Sequence, residues 1–417
     1  MWLIRHLSLA IQWRYAVAVI TILTLFVGLA TAQPSDAELR LVEGYNQFAF
    51  DLYHELVKDA PPDQNIVFSP FSVAVALSMV EASGVPQISA EIRRLLHLPD
   101  DSAFVRATLP PLLEWVRACG DTMASGAMLA VSNALFVEED CIISPEFNEW
   151  WEYRCHGTSE HLDFLNRDRA AQVLNRWLSS QTHGRLDRMF DSGSIGPDNA
   201  PWLLMSSLWF QGAWLRPFKP ERTRQQPFRT ARGDTVQVMM MMNALRTEQV
   251  LESDSLQFLI LPYDEPTFSL EIMLPRPDRK LTSIEAGMTG ASWARWSDDA
   301  KANESWTSLA VPRSKSTYHQ DIGPALGDLG LSSVPTFCLT RPGDRPSASI
   351  RPWFVKHVAE VELNEWGTTA SAGTSIGQAV LGGIEPVRFE ANRPFVMAIV
   401  DNSRGAILTL CRFVNPN

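Results

Sequence analysis

The stretch from Gly367 to Pro386 contains the residues whose types and spacing most directly suggest chemistry. Within it, Gly373-Thr374-Ser375-Ile376-Gly377 fits the pattern G-x-S-x-G, which in α/β-hydrolases presents a nucleophilic serine on a sharp turn between a strand and a helix. The residues that follow, Gln378 to Pro386, include Gly382-Gly383 and lack the composition of a helix. Because the nucleophile elbow needs that helix, we do not predict a serine hydrolase and expect no catalytic residues.

The same stretch is unusual as a loop. It directly follows a predicted strand, Phe354 to Leu363, and it carries small residues without charge as far as Glu385. A structureless loop of about 20 residues is uncommon in a compact domain and is usually functional. We therefore expect the function of the chain to depend on residues 367–386.

The five cysteines predict neither a metal site nor a disulfide scaffold. They are widely spaced and contain no C-x-x-C pair, so no zinc-ligand spacing is present. Buried structural thiols, one pair of which could form a bridge, are the favoured interpretation. No metal and no other cofactor is expected. The five are Cys119, Cys141, Cys155, Cys338 and Cys411.

Charge and composition exclude one class of partner. Hydrophobic residues make up 46% of the chain and charged residues 20%, which is typical of a globular protein with a substantial core. The net charge is −11, and we identify no basic run in the sequence. Because nucleic-acid binding depends on clustered lysine and arginine, we expect no nucleic-acid partner.

The first 32 residues resemble a secretory signal. Arg5 and Arg14 precede an apolar run that ends in Ala30-Thr31-Ala32, the small-x-small pattern of signal peptidase cleavage. An uncleaved anchor helix is the alternative, but the run is short for a membrane span, which needs about 20 apolar residues. We predict a signal peptide over 1–32, a secreted, extracellular product and no membrane association after cleavage. The sequon at Asn303 is consistent with secretion.

Helical spacing dominates the first part of the chain and strand patterns the later part. The run from Pro201 to Trp214 is almost continuously apolar, which suits a strand covered on both faces within a large sheet. A hairpin is predicted around Asn402-Ser403-Arg404-Gly405. This order, without any linker, predicts one large α+β domain. The helices are predicted over Ala37 to Val57, after Ser69-Pro70, and over Glu91 to Leu98, Leu112 to Ala118 and Arg167 to Leu186.

Five separated motifs resemble those of the serpin family and occur in the family order. They are Asn65 to Ser72, Trp209 to Trp214, Asn364 to Ala372, Phe389 to Val396 and Cys411 to Pro416. The resemblance covers essentially 37–417. It implies a single serpin domain over 33–417, with about nine helices, a large central mixed sheet, smaller sheets and an exposed reactive loop at about 367–386.

The resemblance also implies roles for residues that control the opening of the central sheet. His357, Ser69 and Ser72 match the side chains that hold the sheet shut, and Trp214 matches the tryptophan where the loop first enters it. Glu365 matches the hinge acid, with Arg313 as its expected basic partner. Ser206 stands where the family commonly has Asn, and Trp366 replaces an acidic residue. Without the resemblance, each of these side chains would be interpreted as a packing residue.

The hinge and the reactive bond are likewise carried over from the family. Counting from Gly367 places the reactive bond at Leu381-Gly382, and counting back from Phe389 allows Val380-Leu381 instead. No Lys or Arg lies between Lys356 and Arg388, so trypsin-like proteases, which need a cation, are not expected as targets. The hinge comprises Glu365, Gly367, Thr368, Thr369, Ala370, Ser371 and Ala372, with Thr368 expected to be exposed before cleavage.

The implied function is inhibition of a chymotrypsin- or elastase-like serine protease. The protease would cleave the loop, form a covalent acyl complex and be trapped when the loop inserts into the central sheet. The chain would thus be a monomeric inhibitor and not an enzyme. The alternative is a non-inhibitory serpin with a transport, chaperone or storage role. Asp101 to Cys119 contains only Arg106 and Arg117 as cations, so glycosaminoglycan binding there is not expected.

Overall fold

The computed structural model describes residues 33–82, 86–121, 127–139, 141–182, 184, 186–195, 202–333, 338–339, 355–368 and 386–416. The predicted signal peptide and most of the predicted reactive loop, including Thr369 to Ala372, Val380, Leu381 and Gly382, lie outside these residues.

Nine α-helices lie within the described residues, and most belong to the first part of the chain. Their starts follow the local sequence: Ser35 caps the first helix, and Ser69 caps the second, with Pro70 at its first position. The helices are α1 (Asp36–Lys58), α2 (Pro70–Glu81), α3 (Pro86–Leu95), α4 (Ser102–Asp121), α5 (Pro145–Asn148), α6 (Arg167–Gln181), α7 (Leu281–Glu285), α8 (Gly290–Lys301) and α9 (Gly323–Asp328).

Three helices differ in extent from the prediction. One is α3 (Pro86–Leu95), which begins five residues and ends three residues earlier than the predicted Glu91 to Leu98. The helix predicted over Leu112 to Ala118 is part of the longer α4, which continues through Pro110 and Pro111. Proline is unfavourable inside a helix, but buried side chains such as Trp115 fix this helix against the core. The predicted end of α6 at Leu186 is also wrong, because the helix ends at Gln181 and Thr182 caps it.

A six-stranded mixed sheet contains the predicted hinge. Its strand order is β11-β13-β14-β5-β2-β4, and β5 is the strand predicted from the apolar run. The pairs β5–β13 and β2–β4 are parallel, and the other pairs are antiparallel. The strands are β2 (Ala127–Glu138), β4 (Thr158–Leu162), β5 (Trp202–Ala213), β11 (Ser314–Asp321), β13 (Val355–Asn364) and β14 (Gly367–Thr368).

A second, nine-stranded sheet packs against the six-stranded sheet. The chain ends in it as a hairpin, β16 followed by β17, whose turn spans the predicted Asn402 to Gly405. Its strands are β1 (Ile66–Phe68), β6 (Arg224–Arg229), β7 (Thr235–Glu252), β8 (Leu256–Pro262), β9 (Phe268–Pro275), β10 (Glu304–Pro312), β15 (Val387–Glu390), β16 (Phe395–Asp401) and β17 (Ala406–Phe413). Two short strands, β3 (Ile142–Ile143) and β12 (Cys338–Leu339), pair with each other in a separate two-stranded sheet.

The six-stranded sheet has packed side chains on both faces. Leu204 and Phe210 of β5 belong to the main core, which the nine-stranded sheet and α2 share. Leu203 and Met205 of the same strand belong to a second cluster with α6. A strand added beside β5 would therefore have both faces covered, as predicted for a strand within a large sheet.

Cys119, Cys141, Cys155 and Cys411 are buried, as the sequence suggested. Cys119, Cys155 and Cys411 are free thiols, whereas Cys141 is disulfide-bonded. Burial raises the pKa of the Cys119 and Cys155 thiols to about 12, so both are protonated at neutral pH. Among the described residues no His, Cys, Asp and Glu cluster of three or more is arranged to hold a metal ion. In the same part of the chain no helix has the length and apolarity that crossing a membrane requires.

Candidate functional site

The short strand β14 enters the six-stranded sheet between β13 and β5. Thr368 pairs with Leu363 of β13 on one side and with Gly212 of β5 on the other. At the opposite end of the sheet, β13 and β5 pair directly with each other, from Val355–Val358 to Leu204–Ser207. The hinge therefore occupies the first two positions of a strand that could extend only if β5 and β13 separated further.

The expectation that Thr368 is exposed before cleavage is wrong. Its side chain is only 2% exposed, and its hydroxyl lies 2.6 Å from the hydroxyl of Tyr263. Small polar residues predict a solvated loop, but backbone pairing on both sides draws Thr368 into the sheet. Its side chain faces the nine-stranded sheet, because Tyr263 directly follows β8.

Gly367 permits this close approach of the hinge to β5. A Cβ atom at position 367 would overlap the carbonyl oxygen of Gly212. Gly212 in turn lies against Tyr263, since a Cβ there would come within 2.7 Å of the Tyr263 ring. The two glycines thus allow the hinge and β5 to pair directly beneath an aromatic side chain.

Trp214 joins the hinge to Tyr263. Its ring stacks on that of Tyr263 with the centroids 4.7 Å apart, and its indole N–H donates to the carbonyl of Asn364 at 2.9 Å. Its backbone N–H donates to the carbonyl of Trp366. Trp214 therefore contacts the chain just before the point where the hinge enters the sheet, where the sequence placed it.

Glu365 and Arg313 form the ion pair that the family resemblance implies. The guanidinium of Arg313 donates to the buried Glu365 carboxylate, which also accepts a hydrogen bond from Thr223 at 2.7 Å. Burial alone raises the pKa of Glu365, but the hydrogen bonds from Arg313 and Thr223 bring it below its ordinary value. Glu365 is therefore ionised at neutral pH and fixes the chain two residues before Gly367.

Ser69, Ser72, Ser206 and His357 meet in one buried hydrogen-bonded cluster. The backbone N–H of Ser69 donates to Nε2 of His357 at 2.9 Å, and the Ser69 hydroxyl donates to the carbonyl of Leu408 at 2.7 Å. Ser206 donates from its hydroxyl to that of Ser72 at 2.8 Å. The cluster thus connects the start of α2 to β5, to β13 and to β17.

Ser206 stands where the family commonly has asparagine, and through the start of α2 it connects β5 to His357 of β13. Because Nε2 of His357 accepts a hydrogen bond, the neutral ring carries its proton on Nδ1. Burial lowers the pKa of His357 to about 4. His357 is therefore neutral at physiological pH, and protonating it would break its hydrogen bond to Ser69.

We expect the protein to lose stability between pH 6.5 and pH 4 because of His357. In this range the unfolded chain binds a proton that the folded protein excludes, so falling pH favours unfolding. The pKa difference corresponds to about 3 kcal/mol. Thermal unfolding at pH 7 and pH 4.5 should show a smaller loss for His357→Gln, because glutamine can accept the Ser69 hydrogen bond without titrating. Equal losses in both proteins would contradict this role.

The hydroxyl pair between Tyr263 and Thr368 is expected to stabilise the inserted hinge. Tyr263→Phe and Thr368→Val each leave one buried hydroxyl unpaired, which should cost about 1–3 kcal/mol. The double variant should cost less than the sum of the two single variants, because it leaves no orphan. Urea unfolding of the four proteins measures the coupling, and strictly additive losses would show that the contact contributes nothing.

Tyr263, Thr223 and Asn364 belong to the site but were not predicted as functional residues. Tyr263 and Thr223 lie more than one hundred positions from their partners in the hinge, so no local pattern marks them. Asn364 accepts the backbone N–H groups of Trp366 and Gly367 on its side-chain oxygen. An asparagine shortly before a glycine, here Asn364 and Gly367, is a recognisable turn signal. The predicted glycosylation residue, Asn303, lies apart from this site, exposed just after α8.

Comparison with known proteins gives a consistent result. The family model described as "Serpin (serine protease inhibitor)" matches residues 43–416. Human Serpin B8 is 27% identical over 90% of this chain and 99% of its own length. The pig leukocyte elastase inhibitor is 28% identical over 89% and 98%. The native stressed conformation of Arabidopsis AtSerpin1 superposes with a TM-score of 0.78 at 21% identity, over 92% of this chain and 99% of that chain.

The family match spans most of the chain, from 43 to 416, and the solved structure shares its fold. The motifs that suggested the resemblance lie at the hinge, at the buried serine and histidine cluster and in the C-terminal hairpin. The chain belongs to the serpin family.

Proposed function

We propose that this protein is a secreted inhibitor of serine proteases that traps its target by inserting its cleaved loop into the six-stranded sheet. The observation that supports this most directly is the position of β14, which is already paired on both sides at the open end of that sheet. Residues 369–386 begin where β14 ends.

The register of β14 defines the path of insertion. Continuing the pairs that Thr368 makes with Gly212 and Leu363 leads residues 373–376 to the positions now joined by the direct β5–β13 pairing. Both neighbouring strands give the same four residues, so complete insertion extends β14 to Ile376. The strands would have to separate by about one further strand spacing, roughly 4.8 Å.

The side chains along this path suit a strand covered on both faces. Thr368 faces the nine-stranded sheet, so Ala370, Ala372, Thr374 and Ile376 would face it too, because side chains alternate. The intervening residues, Thr369, Ser371, Gly373 and Ser375, would face α6. None carries a charge, and a buried unpaired charge at any of these positions would cost several kcal/mol.

The serine and histidine cluster lies on this path as a barrier. In the continued register, Thr374 falls opposite both Ser206 and His357. Insertion must therefore separate Ser206 from His357, which in the uncut protein pair directly in the β5–β13 ladder and are also connected through the start of α2. This arrangement allows the uncut form to be kinetically trapped, as an inhibitor that acts by insertion requires.

The chemical step uses the nucleophile of the protease. Its serine hydroxyl attacks the carbonyl carbon of Leu381 and forms an ester, while the bond to Gly382 breaks and its nitrogen leaves as an amine. Insertion of 369–376 would then carry the attached protease away before water hydrolyses the ester. Leu381 before the cut bond suits a chymotrypsin-like protease, and Val380, before the alternative bond, suits an elastase-like one. A pig relative is named leukocyte elastase inhibitor.

Incubation with chymotrypsin and with an elastase tests this proposal. We expect complexes that survive SDS, and mass spectrometry of the released C-terminal fragment should find its start at Gly382. A start at Leu381 would support the alternative bond, Val380-Leu381. Trypsin, which finds no Lys or Arg between Lys356 and Arg388, should form no complex. Cleavage without any SDS-stable complex would instead support the non-inhibitory alternative.

A further inference from the structure

Positive charge is concentrated in one segment of this acidic protein. Residues 216–232 contain six Lys and Arg and a single acidic residue, Glu221, whereas the whole chain carries a net charge of −11. Such an asymmetry identifies a surface that attracts an acidic partner.

Four of these cations form a cationic band that we define as Lys219, Arg222, Arg224 and Arg229. Arg222 is half-buried and the other three are exposed. Among the described residues, no ion pair engages any of the four. The two remaining cations of the segment are occupied, because Arg232 pairs with Asp63 at 2.8 Å and Arg216 donates to the carbonyl of Thr247.

The cationic band begins beside the start of the reactive loop. Thr223, in the middle of the band, donates its hydroxyl to Glu365, two residues before the hinge glycine. Further along, the backbone N–H of Arg229 donates to the carbonyl of Asn392 at 2.9 Å, six residues beyond the end of the loop at Pro386. A protein that holds the start of the loop therefore approaches the part of the band around Thr223.

We propose that the cationic band docks an acidic surface next to the active-site cleft of the target protease, an inference that rests on the proposed function. The part of the band around Thr223 borders the start of the segment that the protease must bind, so the protease is the partner placed closest to it. Complementary charge at such a border chiefly accelerates association, by about 10–10³-fold at low ionic strength, and the effect falls as salt rises.

Two forms of chymotrypsin serve as probes of opposite charge. One has its native lysines, and in the other the surface lysines have been succinylated. The measured quantity is the second-order rate of loop cleavage or complex formation at 25 and 150 mM NaCl. We expect the inhibitor to react at least tenfold faster with the succinylated enzyme at low salt, and the Lys219→Glu/Arg224→Glu variant, which changes the two exposed cations on either side of Thr223, to lose this preference. Because loop cleavage alone reports docking, the band is tested even if no stable complex forms and the proposed function fails.

Arg40→Glu/Arg94→Glu is the matched control, because it makes the same charge change at exposed residues of α1 and α3. Retention of the preference in this control supports the proposal, and an equal loss in both double variants would overturn it, since net charge would then explain the effect. A polyanion is the other possible occupant. If heparin binds the wild type but not the band variant, and the wild type shows no preference between the two forms of chymotrypsin, the proposal is overturned in favour of a polyanion as the occupant.

Discussion

Ala372→Arg should convert the inhibitor into a substrate. If the register of β14 continued on insertion, residue 372 would lie opposite Leu208 of β5 and Ala359 of β13, both buried, and its side chain would face the main core. A guanidinium there would be buried without a partner at a cost of several kcal/mol. Each 1.4 kcal/mol is about a factor of ten in an equilibrium, so insertion should stop before residue 372.

The measured quantity is the number of inhibitor molecules consumed for each protease inactivated. It should rise from about one to more than ten in Ala372→Arg, and the SDS-stable complex should disappear while the loop is still cleaved. Glu385→Arg is the matched control, because it places the same group in the same loop beyond the segment that inserts. Thermal unfolding of the uncut variants checks their folding. Unchanged stoichiometry in Ala372→Arg would rule out insertion as the inhibitory step.

Thr368, which the sequence analysis expected to be exposed before cleavage, is unsuitable for this test. An arginine there would disrupt the uncut protein as well, because Thr368 is already buried against Tyr263. The sequence alone shows that hinge residues 367–372 are small and uncharged. How far the hinge enters the sheet depends on backbone pairing with two strands. One contains Gly212, about 150 residues earlier in the chain, and the other contains Leu363, just before the hinge. No local pattern reports such pairing.

Other parts of the fold could be predicted because their cause is local. The buried strand Trp202–Ala213 follows from a continuous apolar run, and the C-terminal hairpin follows from its turn residues. Tertiary packing outweighed local preference in α4, which continues through Pro110 and Pro111. The Arg313–Glu365 contact was suggested by family resemblance alone, since neither residue is distinctive in its local sequence.

Cleavage of the loop should make the protein more stable. Extension of β14 through residues 369–376 would add backbone hydrogen bonds to both β5 and β13, in exchange for the four-residue parallel pairing that these strands now share. At a net 0.5–1.5 kcal/mol for each hydrogen bond, the gain is on the order of 5–10 kcal/mol. For a chain of this size we therefore expect the thermal midpoint to rise by roughly 6–12 °C.

Melting curves recorded before and after limited proteolysis between Gly377 and Glu385 measure this gain. Ala372→Arg is the internal control, because its cleaved form cannot complete the strand and should gain little. The comparison separates insertion from the simple removal of a loop, which both proteins undergo equally. A midpoint that stays equal or falls after cleavage of the wild type would mean that the uncut sheet is already at its lowest free energy. The chain would then belong with serpins that bind or carry rather than trap.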